Sequence, residues 1–352
     1  MKKNIILFDQ DTQIYRQKIY YHFREKFKSI DYNLVIIYDR ELCSINSEDS
    51  LFVGIKYSFT SLYKTIQKYR SNIIISFVWL RYKFILPILL LNRIRGVKSI
   101  VWSHGINLQK KDQPLKNILY YLRQYLANAL IIYTPNQSKY IRANHSKLFI
   151  AYNTLNFYSF PEILLPKEDL KSKYNLAGNN VILTVARFDM NNRKVDHLIE
   201  LSDLIEKSFH ILIIGPGLTK EQILQIESRK NIKYLGPIYD EKIICEYYKM
   251  SDIFVMPGAI GLALNQAFYF GTPVILESVP QGPEAYYLSD GNNGLYYKKG
   301  DVQDLKKKIN KLMSSKNIYV RYSENAEKDI LNKGSIEKML DGFMDAIKYV
   351  SR

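Results

Sequence analysis

The sequence predicts an α/β protein made of two doubly wound, Rossmann-like domains. Its 352 residues are too many for one ordinary core and suit two domains of about 150 to 180 residues each. Short apolar runs alternate with longer segments of helical period, which is the pattern of βαβ units around a parallel sheet. The composition, with 47% hydrophobic and 24% charged residues, is that of a globular protein.

Seven apolar runs predict the sheet of the first domain, which we place at residues 1–160. They are NIILF (4–8), NLVIIY (33–38), LFVGI (51–55), NIIISFV (72–78), KSIVWS (98–103), ALIIYT (129–134) and LFIAYN (148–153). Residues 154–175 then break the rhythm with Pro161 and Pro166, which indicates a linker that ends in a short helix.

Six further runs predict the sheet of a second domain at residues 161–335. They are VILTVAR (181–187), HILIIG (210–215), IKYLG (232–236), DIFVMP (252–257), PVILE (273–277) and GLYYKKG (294–300). Segments of helical period lie between them, and residues 336–352 predict a last helix that packs back toward the first domain. Ligands of open parallel sheets bind beyond the carboxyl ends of the strands, so we expect both domains to bring loops to a central cleft.

The net charge of +16 is distributed unevenly along the chain. Residues 1–150 hold 24 Lys and Arg against 9 Asp and Glu, whereas residues 151–352 hold 26 against 25. A basic half indicates an anionic partner, and nucleic acid, anionic lipid headgroups and pyrophosphate-linked substrates all qualify. A coding bias toward lysine is the alternative, but it leaves the nearly neutral second half unexplained. Because no nucleic-acid-binding motif occurs, we expect no nucleic-acid partner.

Several other classes of protein are disfavoured. Cys43 and Cys245 have no CxxC or CxxH neighbour, which indicates reduced thiols without a disulfide or a zinc site. The first apolar run meets Asp9 and Asp11, so we expect a buried strand rather than a secretory signal. The longest apolar run, FILPILLLNRI (84–94), is about half as long as a bilayer-spanning helix, and we expect no integral membrane segment.

The segment VARFDMNNRKVDHLIEL (185–201) places three cations around one strand-to-helix loop. Arg187 ends the strand, and Arg193 and Lys194 stand just before the helix. Such a group suits a diphosphate, because Arg binds phosphate oxygens in a bidentate way and Lys adds a point charge. The alternative is that these are solvated loop charges. The nearby IIGPGLTKEQI (213–223) holds only a fragment of a dinucleotide fingerprint, and we interpret it as a structural tight turn.

The segment MPGAIGLALNQAFYFGTPV (256–274) predicts a strand end, a glycine loop and a helix that begins near Gly261. The unpaired N–H groups of the first helical turn and the helix dipole together form an anion site. Gly258 and Gly261 let a ligand approach the backbone closely. Gln266 then turns its amide to ribose hydroxyls, or alternatively is held inside the core.

Four segments, in this order and spacing, resemble the nucleotide domain of the GT-B glycosyltransferases, specifically of glycosyltransferase family 4. They are VARF…RK…DHLIEL, NIKYLGPIYDEKIICEYYKMSDIFVMP, GLALNQAFYFGTPVILE and PEAYYLSDGNNGLYYKKGDVQDL. The resemblance covers the second half of the chain nearly end to end. It implies the GT-B fold, with an N-terminal acceptor-binding domain and a C-terminal domain that binds a nucleotide-sugar donor across a central cleft.

The resemblance also implies a donor site. Its residues are Arg187, Arg193, Lys194, Pro237, Ile238, Gly258, Gly261, Leu262 and Gln266. The three cations and the Gly261 and Leu262 amides would hold the diphosphate, and the backbone at Pro237 and Ile238 would lie against the base. There is one departure, because the family usually carries two glutamates where this chain has Gly258 and Gln266. A neutral amide contact is worth roughly half of a charge-assisted one.

Two candidates lie in the first domain. IVWSHGIN (100–107) resembles the family's strand and histidine-glycine turn, which makes His104 the catalytic candidate that faces the donor sugar and the reacting oxygen. The alternative is an ordinary strand-end histidine. TQIYRQKIYYHF (12–23) replaces the glycine-rich loop of some relatives, and it makes Arg16 a weak acceptor-site candidate.

The resemblance implies a hexosyltransferase-like enzyme that moves a sugar from a UDP- or GDP-linked donor with retention at the anomeric carbon. No DxD-like carboxylate cluster occurs, so we expect no cofactor and a metal-independent reaction. The basic first half fits a glycan or lipid-pyrophosphate-linked glycan acceptor in surface polysaccharide, O-antigen or capsule assembly. We expect a cytoplasmic protein, peripheral at the anionic inner membrane surface. The alternative is a non-catalytic subunit that binds a nucleotide sugar or a glycan.

Overall fold

The structure is a computed structural model, and it describes residues 3–43, 45, 49–77, 79–80, 82–108, 112–190 and 192–352. The chain forms two compact units. The first unit comprises residues 1–156 together with residues 336–352, and the second comprises residues 157–335. Each unit is built around one parallel sheet.

The sheet of the first unit has seven strands in the order β3-β2-β1-β4-β5-β6-β7. The strands are β1 (Lys3–Asp9), β2 (Tyr32–Asp39), β3 (Phe52–Ile55), β4 (Ile73–Phe77), β5 (Lys98–Trp102), β6 (Ala129–Ile132) and β7 (Leu148–Ile150). Apolar side chains on both faces let such strands appear as continuous hydrophobic runs, and all seven predicted strands are confirmed. The predicted end of the fourth strand at Val78 lies outside the described residues.

Helices cover both faces of this sheet. They are α1 (Ile14–Lys28), α2 (Phe59–Tyr69), α3 (Ile85–Ile94), α4 (Ile118–Leu126) and, from the end of the chain, α12 (Ile336–Ser351). On one face α1 and α12 share a core with the strands, and the rings of Phe23 and Phe343 lie 4.9 Å apart there. Helix α12 lies against β7 so closely that a Cβ on Gly342 would be 2.1 Å from the carbonyl oxygen of Ile150.

The sheet of the second unit has six parallel strands in the order β10-β9-β8-β11-β12-β13. The strands are β8 (Asn180–Val185), β9 (Phe209–Ile214), β10 (Ile232–Tyr234), β11 (Ile253–Met256), β12 (Val274–Glu277) and β13 (Gly294–Tyr297). The helices are α5 (Lys167–Lys173), α6 (Asp196–Leu204), α7 (Lys220–Glu227), α8 (Glu241–Met250), α9 (Ala263–Tyr269), α10 (Val302–Met313) and α11 (Lys316–Lys333). All six predicted strands are confirmed, and both sheets have the doubly wound, α/β architecture.

The boundary between the units lies after Asn156 rather than after residue 160. The cause is aromatic packing at the start of the linker. The Phe157 ring stacks 4.7 Å from that of Tyr269, and the Phe160 ring meets Tyr269 edge-on at 5.2 Å. Four residues that the sequence places in the first domain therefore pack within the second unit.

The remaining expectations concern membrane spans and cysteines. In the described part of the chain no helix combines the length and the hydropathy that a membrane span requires. Helix α3 contains most of the long apolar run and accommodates Pro87 in its first turn, where no intrahelical donor is needed. Cys43 and Cys245 are thiols, and no disulfide joins them.

Candidate functional site

Two loops at the carboxyl edge of the second sheet are joined to each other. The loop between β8 and α6 pairs with the loop between β11 and α9 through an antiparallel bridge of Arg193 and Gly258. The Lys194 N–H donates to the Pro257 carbonyl at 3.0 Å, and the Ala259 N–H donates to the Asn192 carbonyl at 3.0 Å. The predicted cation loop and the predicted glycine loop therefore form one substructure.

The two glycines of this substructure have different surroundings. Gly258 has a φ of +103°, and a Cβ there would lie 1.8 Å from the Asn192 carbonyl oxygen. The sequence predicts that a ligand approaches the backbone at Gly258, but the chain's own loop fills that space. At Gly261 a Cβ would meet one described atom within 4 Å, the Arg193 Nη2 at 3.9 Å. The open space beside Gly261 is thus bordered by a guanidinium.

Arg193 is the cation that faces this open space. Its Nη1 donates to the Arg187 carbonyl at 3.1 Å, whereas its buried Nε has no hydrogen-bond partner among the described residues. Burial lowers the pKa of Arg193, as does the nearby charge of Arg187, while Asp189 and Glu284 act in the opposite direction. A bound anion would relieve this loss of solvation, which suits a phosphate group.

The other two predicted cations have carboxylate partners. Arg187 is mostly exposed and donates from Nη2 to Asp189 Oδ2 at 2.7 Å, which lowers the pKa of Asp189. Lys194 donates from Nζ to Glu277 Oε1 at 2.9 Å, and that fully buried carboxylate also accepts from the Gly300 N–H at 3.0 Å. The structure thus divides the predicted trio into one open guanidinium and two ion pairs.

The glycine loop presents backbone donors beside Arg193. Helix α9 begins at Ala263 with Leu262 as its cap residue, two residues after the predicted start. The N–H groups of Gly261, Leu262 and Ala263 have no hydrogen-bond partner in the described ranges. Three unsatisfied amides next to a guanidinium form a site that can accept an anion.

Gln281, which the sequence did not identify, shapes this loop. Its Oε1 accepts from the Ile260 N–H at 2.9 Å, and its Nε2 donates to the carbonyls of Gly258 and Glu277 at 3.1 and 2.8 Å. One amide thus ties the glycine loop to the end of β12. Because its partners lie up to 23 residues away, no local pattern marks this residue.

No side-chain hydrogen bond in the described part of the chain joins the remaining predicted donor residues to the glycine loop. Gln266 is partly buried, and its Nε2 lies 3.6 Å from the Cys245 sulfur, so its amide is turned toward α8. Pro237 is exposed and Ile238 is partly buried in the segment after β10. No hydrogen bond or ion pair in the described part of the chain links these two residues to Arg193 or Gly261. Their roles toward a base and a ribose stay predictions.

The glycine-proline-glycine turn after β9 packs against the cation loop, in agreement with its interpretation as a structural tight turn. A Cβ on Gly215 would lie 1.7 Å from the Ala186 carbonyl oxygen, and one on Gly217 would lie 2.4 Å from the Asp189 nitrogen. The Phe188 N–H also donates to the Pro216 carbonyl at 2.8 Å. These glycines therefore let the cation loop pass close to the turn.

The first unit contains a cavity of about 680 Å³ beyond the ends of β4 and β5. Its lining is mainly apolar and aromatic and includes one histidine and one arginine. The lining residues are Phe77, Trp79, Leu80, Trp102, Ser103, His104, Ile106, Asn107, Leu108, Tyr120 and Arg123. A cavity of this size with few polar groups is typical of a small-molecule or glycan site.

His104 lies in this cavity, two residues after the end of β5. Its ring packs on Tyr133 with the centroids 4.4 Å apart, and its Nδ1 lies 2.8 Å from the Gln137 Nε2. Burial, and to a lesser degree the charge of Arg16, lower the pKa of His104 to about 4. The imidazole is therefore neutral at physiological pH, and Gln137 is a second residue that the sequence did not identify.

Arg16 is packed among side chains of the same unit. Its Cζ lies 4.0 Å from the Phe77 ring centroid and 5.1 Å from that of Trp102, and its Nη1 lies 3.6 Å from Asp9 Oδ2. Tyr20 donates to the same carboxylate oxygen at 2.6 Å. Burial alone would lower the pKa of Arg16, but the Asp9 carboxylate and nearby tyrosines raise this pKa well above its ordinary value. The structure places Arg16 mainly in a cation-π cluster, and its acceptor role stays a prediction.

Helix α4 holds the wall of the cavity through polar residues on its inner face. Gln124 donates to the Gly105 carbonyl at 2.8 Å, and Asn117 accepts from the Asn107 N–H at 3.0 Å. Arg123 donates to the Ser76 carbonyl at 3.0 Å, and burial lowers its pKa to about 10. Gln124 of α4 and the cap residue Asn117 thus fix the loop that carries His104, and Arg123 joins α4 to the end of β4.

A family model and a related protein both indicate a glycosyltransferase. Residues 166–329 match the family model described as "Glycosyl transferases group 1". An uncharacterized glycosyltransferase of Methanocaldococcus jannaschii is 25% identical over 299 residues, which cover 76% of this chain and 72% of that protein.

Two solved structures share the fold over nearly the whole chain. A glycosyltransferase from Rickettsia africae has a TM-score of 0.78 at 16% identity and covers 100% of this chain and 99% of its own. Anabaena HepE in complex with UDP has a TM-score of 0.79 at 14% identity and covers 98% of this chain and 99% of its own. The two doubly wound units thus have the GT-B fold, and the chain is a glycosyltransferase whose residues 166–329 form a group 1 domain.

Proposed function

We propose that this enzyme transfers a sugar from a uridine diphosphate sugar to a glycan or lipid-linked glycan acceptor, with retention at the anomeric carbon. The observation that carries the proposal is the open space beside Gly261, which the Arg193 guanidinium borders, in a loop whose Gly261, Leu262 and Ala263 N–H groups have no partner among the described residues. The choice of nucleotide is supported by the UDP that HepE binds. GDP is the competing nucleotide.

The chemistry required of this site is stabilisation of a leaving diphosphate. As the bond between the anomeric carbon and the diphosphate oxygen breaks, negative charge grows on that oxygen. Arg193 and the Gly261, Leu262 and Ala263 amides are preorganised donors for this charge. The acceptor oxygen attacks the same face of the sugar, and its proton passes to the leaving diphosphate. We propose that the reaction needs no metal, since donors of this kind supply the same stabilisation.

We propose that the acceptor binds in the cavity of the first unit. Its aromatic lining, with Phe77, Trp79 and Trp102, offers faces on which sugar rings can pack. Arg123 brings a positive charge and His104 a polar group to the same cavity. These features suit a glycan that carries an anionic group, such as a lipid-linked pyrophosphate used in surface polysaccharide assembly.

The outer face of α4 supports peripheral binding to an anionic membrane at the cytoplasmic side. Arg123 and Gln124 of the helix are buried, whereas five apolar residues of the helix and of the 3-10 helix before it (Pro114–Asn117) are exposed. We call these exposed residues, Leu115, Ile118, Leu119, Leu122 and Tyr125, the α4 apolar face. The stretch of sequence that contains it, residues 50–161, holds 16 Lys and Arg and one acidic residue, Asp112. An exposed apolar helix face in a basic segment suits the boundary between headgroups and acyl chains.

The donor site can be tested by ligand-induced stabilisation of the full chain. UDP and UDP-glucose at about a hundred times their dissociation constant should stabilise the wild type by roughly 2.7 kcal/mol, and GDP should have less effect. Arg193→Gln should lose most of this shift. Arg229→Gln is the matched control, because Arg229 pairs with Asp203 just before β10, at the opposite edge of the sheet. Equal shifts in the two variants would contradict the proposed donor site.

Catalysis needs a separate measurement. Release of UDP from UDP-glucose should rise when a lipid-linked glycan extract is added, should persist in a chelator, and should fall in His104→Ala. The anomeric configuration of the product, read by NMR, distinguishes retention from inversion. Donor binding without any transfer would overturn the proposed reaction and leave the donor site intact.

A further inference from the structure

The Gln137 side chain lies beside His104, and its amide orientation is determined by the protein. Gln137 is buried in the 3-10 helix Pro135–Tyr140, which follows β6. The Tyr133 N–H donates to the Gln137 Oε1 at 2.9 Å. Since a backbone N–H donates and cannot accept, the oxygen of the amide must face Tyr133. The NH₂ group of Gln137 therefore faces His104.

This orientation determines the tautomer of His104. The Gln137 Nε2 lies 2.8 Å from the His104 Nδ1, and an amide NH₂ can only donate. Nδ1 must therefore accept, and a neutral ring then carries its proton on Nε2. Within the described residues no hydrogen bond to Nε2 is present, and the ring lines the cavity. The Nε2–H group is available to a molecule bound there.

The surroundings of His104 oppose a second proton. The titratable and charged groups around the ring and its cavity are Asp9, Arg16, Tyr120, Arg123 and Tyr133. Asp9 is engaged by Arg16 and Tyr20, while the charge of Arg16 itself disfavours the imidazolium. Burial acts in the same direction, and the Gln137 amide already occupies the nitrogen that the second proton would need.

We infer that Gln137 is a positioning residue that holds His104 as a neutral imidazole with its proton on Nε2, so that His104 donates a hydrogen bond to a substrate oxygen. A ring in this state cannot take a proton at Nε2, and His104 is therefore not a general base. The identity of the oxygen rests on the proposed function, because it belongs to the transferred sugar or the acceptor. The tautomer is a property of the protein alone.

The tautomer can be read without substrate. Histidine-selective ¹⁵N labelling and long-range proton–nitrogen spectra distinguish the Nε2–H tautomer, the Nδ1–H tautomer and the imidazolium. The chain has five histidines, and loss of one signal set in His104→Ala identifies the set of interest. We expect the Nε2–H pattern from pH 8 down to about pH 5. An Nδ1–H pattern or an imidazolium at pH 7 would overturn the inference.

Gln137→Glu reverses one hydrogen bond and keeps the other. A carboxylate still accepts from the Tyr133 N–H, but it also accepts from Nδ1–H of His104. The neutral ring then lacks a proton on Nε2, and the pKa of His104 rises beside the new charge. UDP-glucose turnover should be about tenfold below wild type at pH 8, the worth of one hydrogen bond. It should recover as the pH falls and the imidazolium restores Nε2–H.

A control variant separates positioning from packing. Gln137→Met removes both hydrogen bonds without supplying a charge, so its turnover should be low at every pH. A merely structural role of Gln137 predicts the same pH profile for the Glu and Met variants, and that result would overturn the inference. The spectra are recorded without a sugar donor or a glycan acceptor. Failure of the proposed transfer reaction would therefore leave the test of the tautomer intact.

Discussion

At the residue scale, Arg193 and Lys194 are neighbours in the sequence with different tasks. Lys194 neutralises Glu277, a carboxylate with no exposed surface that lies at the end of β12. Removing one partner of such a pair leaves an uncompensated buried charge, which costs about 3 to 5 kcal/mol. Arg193 lacks a carboxylate at ion-pair distance among the described residues, and it borders the open space at Gly261. Of the two, Arg193 is the cation that a ligand can use.

His104 should make the stability of the first unit depend on pH. Its pKa of about 4 in the folded chain lies below the ordinary value of 6.5, so the unfolded chain takes up the proton first. This contribution to stability is complete above pH 6.5 and is lost as the pH falls toward 4. Between about pH 7.5 and pH 4.5 the loss should be roughly 2 kcal/mol, and it should be absent in His104→Gln.

Tryptophan fluorescence during urea unfolding measures this effect, because Trp79 and Trp102 are the two tryptophans of the chain and both belong to the first unit. The readout is the difference in unfolding free energy between the two pH values. His197 lies in the second unit. His197→Gln should therefore show the same difference in unfolding free energy between the two pH values as wild type, as the tryptophans report it. If the unfolding free energies of wild type and His104→Gln fell by the same amount between the two pH values, the buried, neutral state of the ring would be contradicted.

At the scale of elements, the loop after β8 and the loop after β11 determine each other's path. Gly258 has to be a glycine for two reasons, a φ of +103° and a carbonyl oxygen of Asn192 in the place of a Cβ. The glutamate that relatives are expected to carry at this position is therefore incompatible with the present path of the β8–α6 loop. Any side chain at position 258 would require the two loops to pack differently.

Substitution of Gly258 should lower the free energy of unfolding far more than substitution of a glycine that also has a positive φ but has free space around it. Gly291 is the matched control, because it has a φ of +79° and a Cβ there would meet no described atom within 4 Å. Gly291→Ala should cost about 1 kcal/mol, whereas Gly258→Ala should cost more than about 3 kcal/mol through the added clash. Thermal unfolding followed by circular dichroism compares the two variants. Equal melting temperatures would contradict the close contact between Gly258 and the β8–α6 loop.

The elements were predictable because each carries its own signal. Buried parallel strands are continuous apolar runs, so all thirteen strands could be placed from the sequence. The start of α9 was predicted two residues early, because Gly261 and Leu262 form the loop and the cap instead of the first turn. Secondary structure of this kind depends on neighbours within a few residues, which the sequence displays directly.

The site was less predictable because its side-chain partners are distant in the sequence. Lys194 meets a carboxylate 83 residues away, and His104 meets an amide 33 residues away. Arg187 has its partner Asp189 two residues away, but nothing in the sequence around Arg193 and Lys194 distinguishes the paired lysine from the open guanidinium. Local patterns located the loops, and the packing of the strands decided what each side chain in them contacts.

At the scale of the whole molecule, α4 connects the cavity of the first unit with the protein surface. Gln124 on its inner face and its cap residue Asn117 hold the His104 loop, and its outer face is apolar. A helix with polar residues inside and apolar residues outside has the reverse of the usual pattern for a globular protein. Contact with a bilayer would cover the outer face and would bring the cavity close to lipid-linked molecules.

Vesicle binding tests this arrangement with a closely matched control. Leu115, Ile118 and Leu122 on the α4 apolar face are 84%, 60% and 46% exposed, and Leu164, Leu224 and Leu331 in the second unit are 80%, 66% and 44% exposed. Changing the first three to Ser should weaken flotation with anionic vesicles at low salt at least about tenfold, because their burial in the interface is lost. The same change in the second three should have little effect.

Binding should also fall with added salt and with neutral lipids, since the cations of the basic segment contribute. Absence of wild-type binding at low salt, or an equal loss in both triple variants, would rule out the α4 apolar face as the membrane contact.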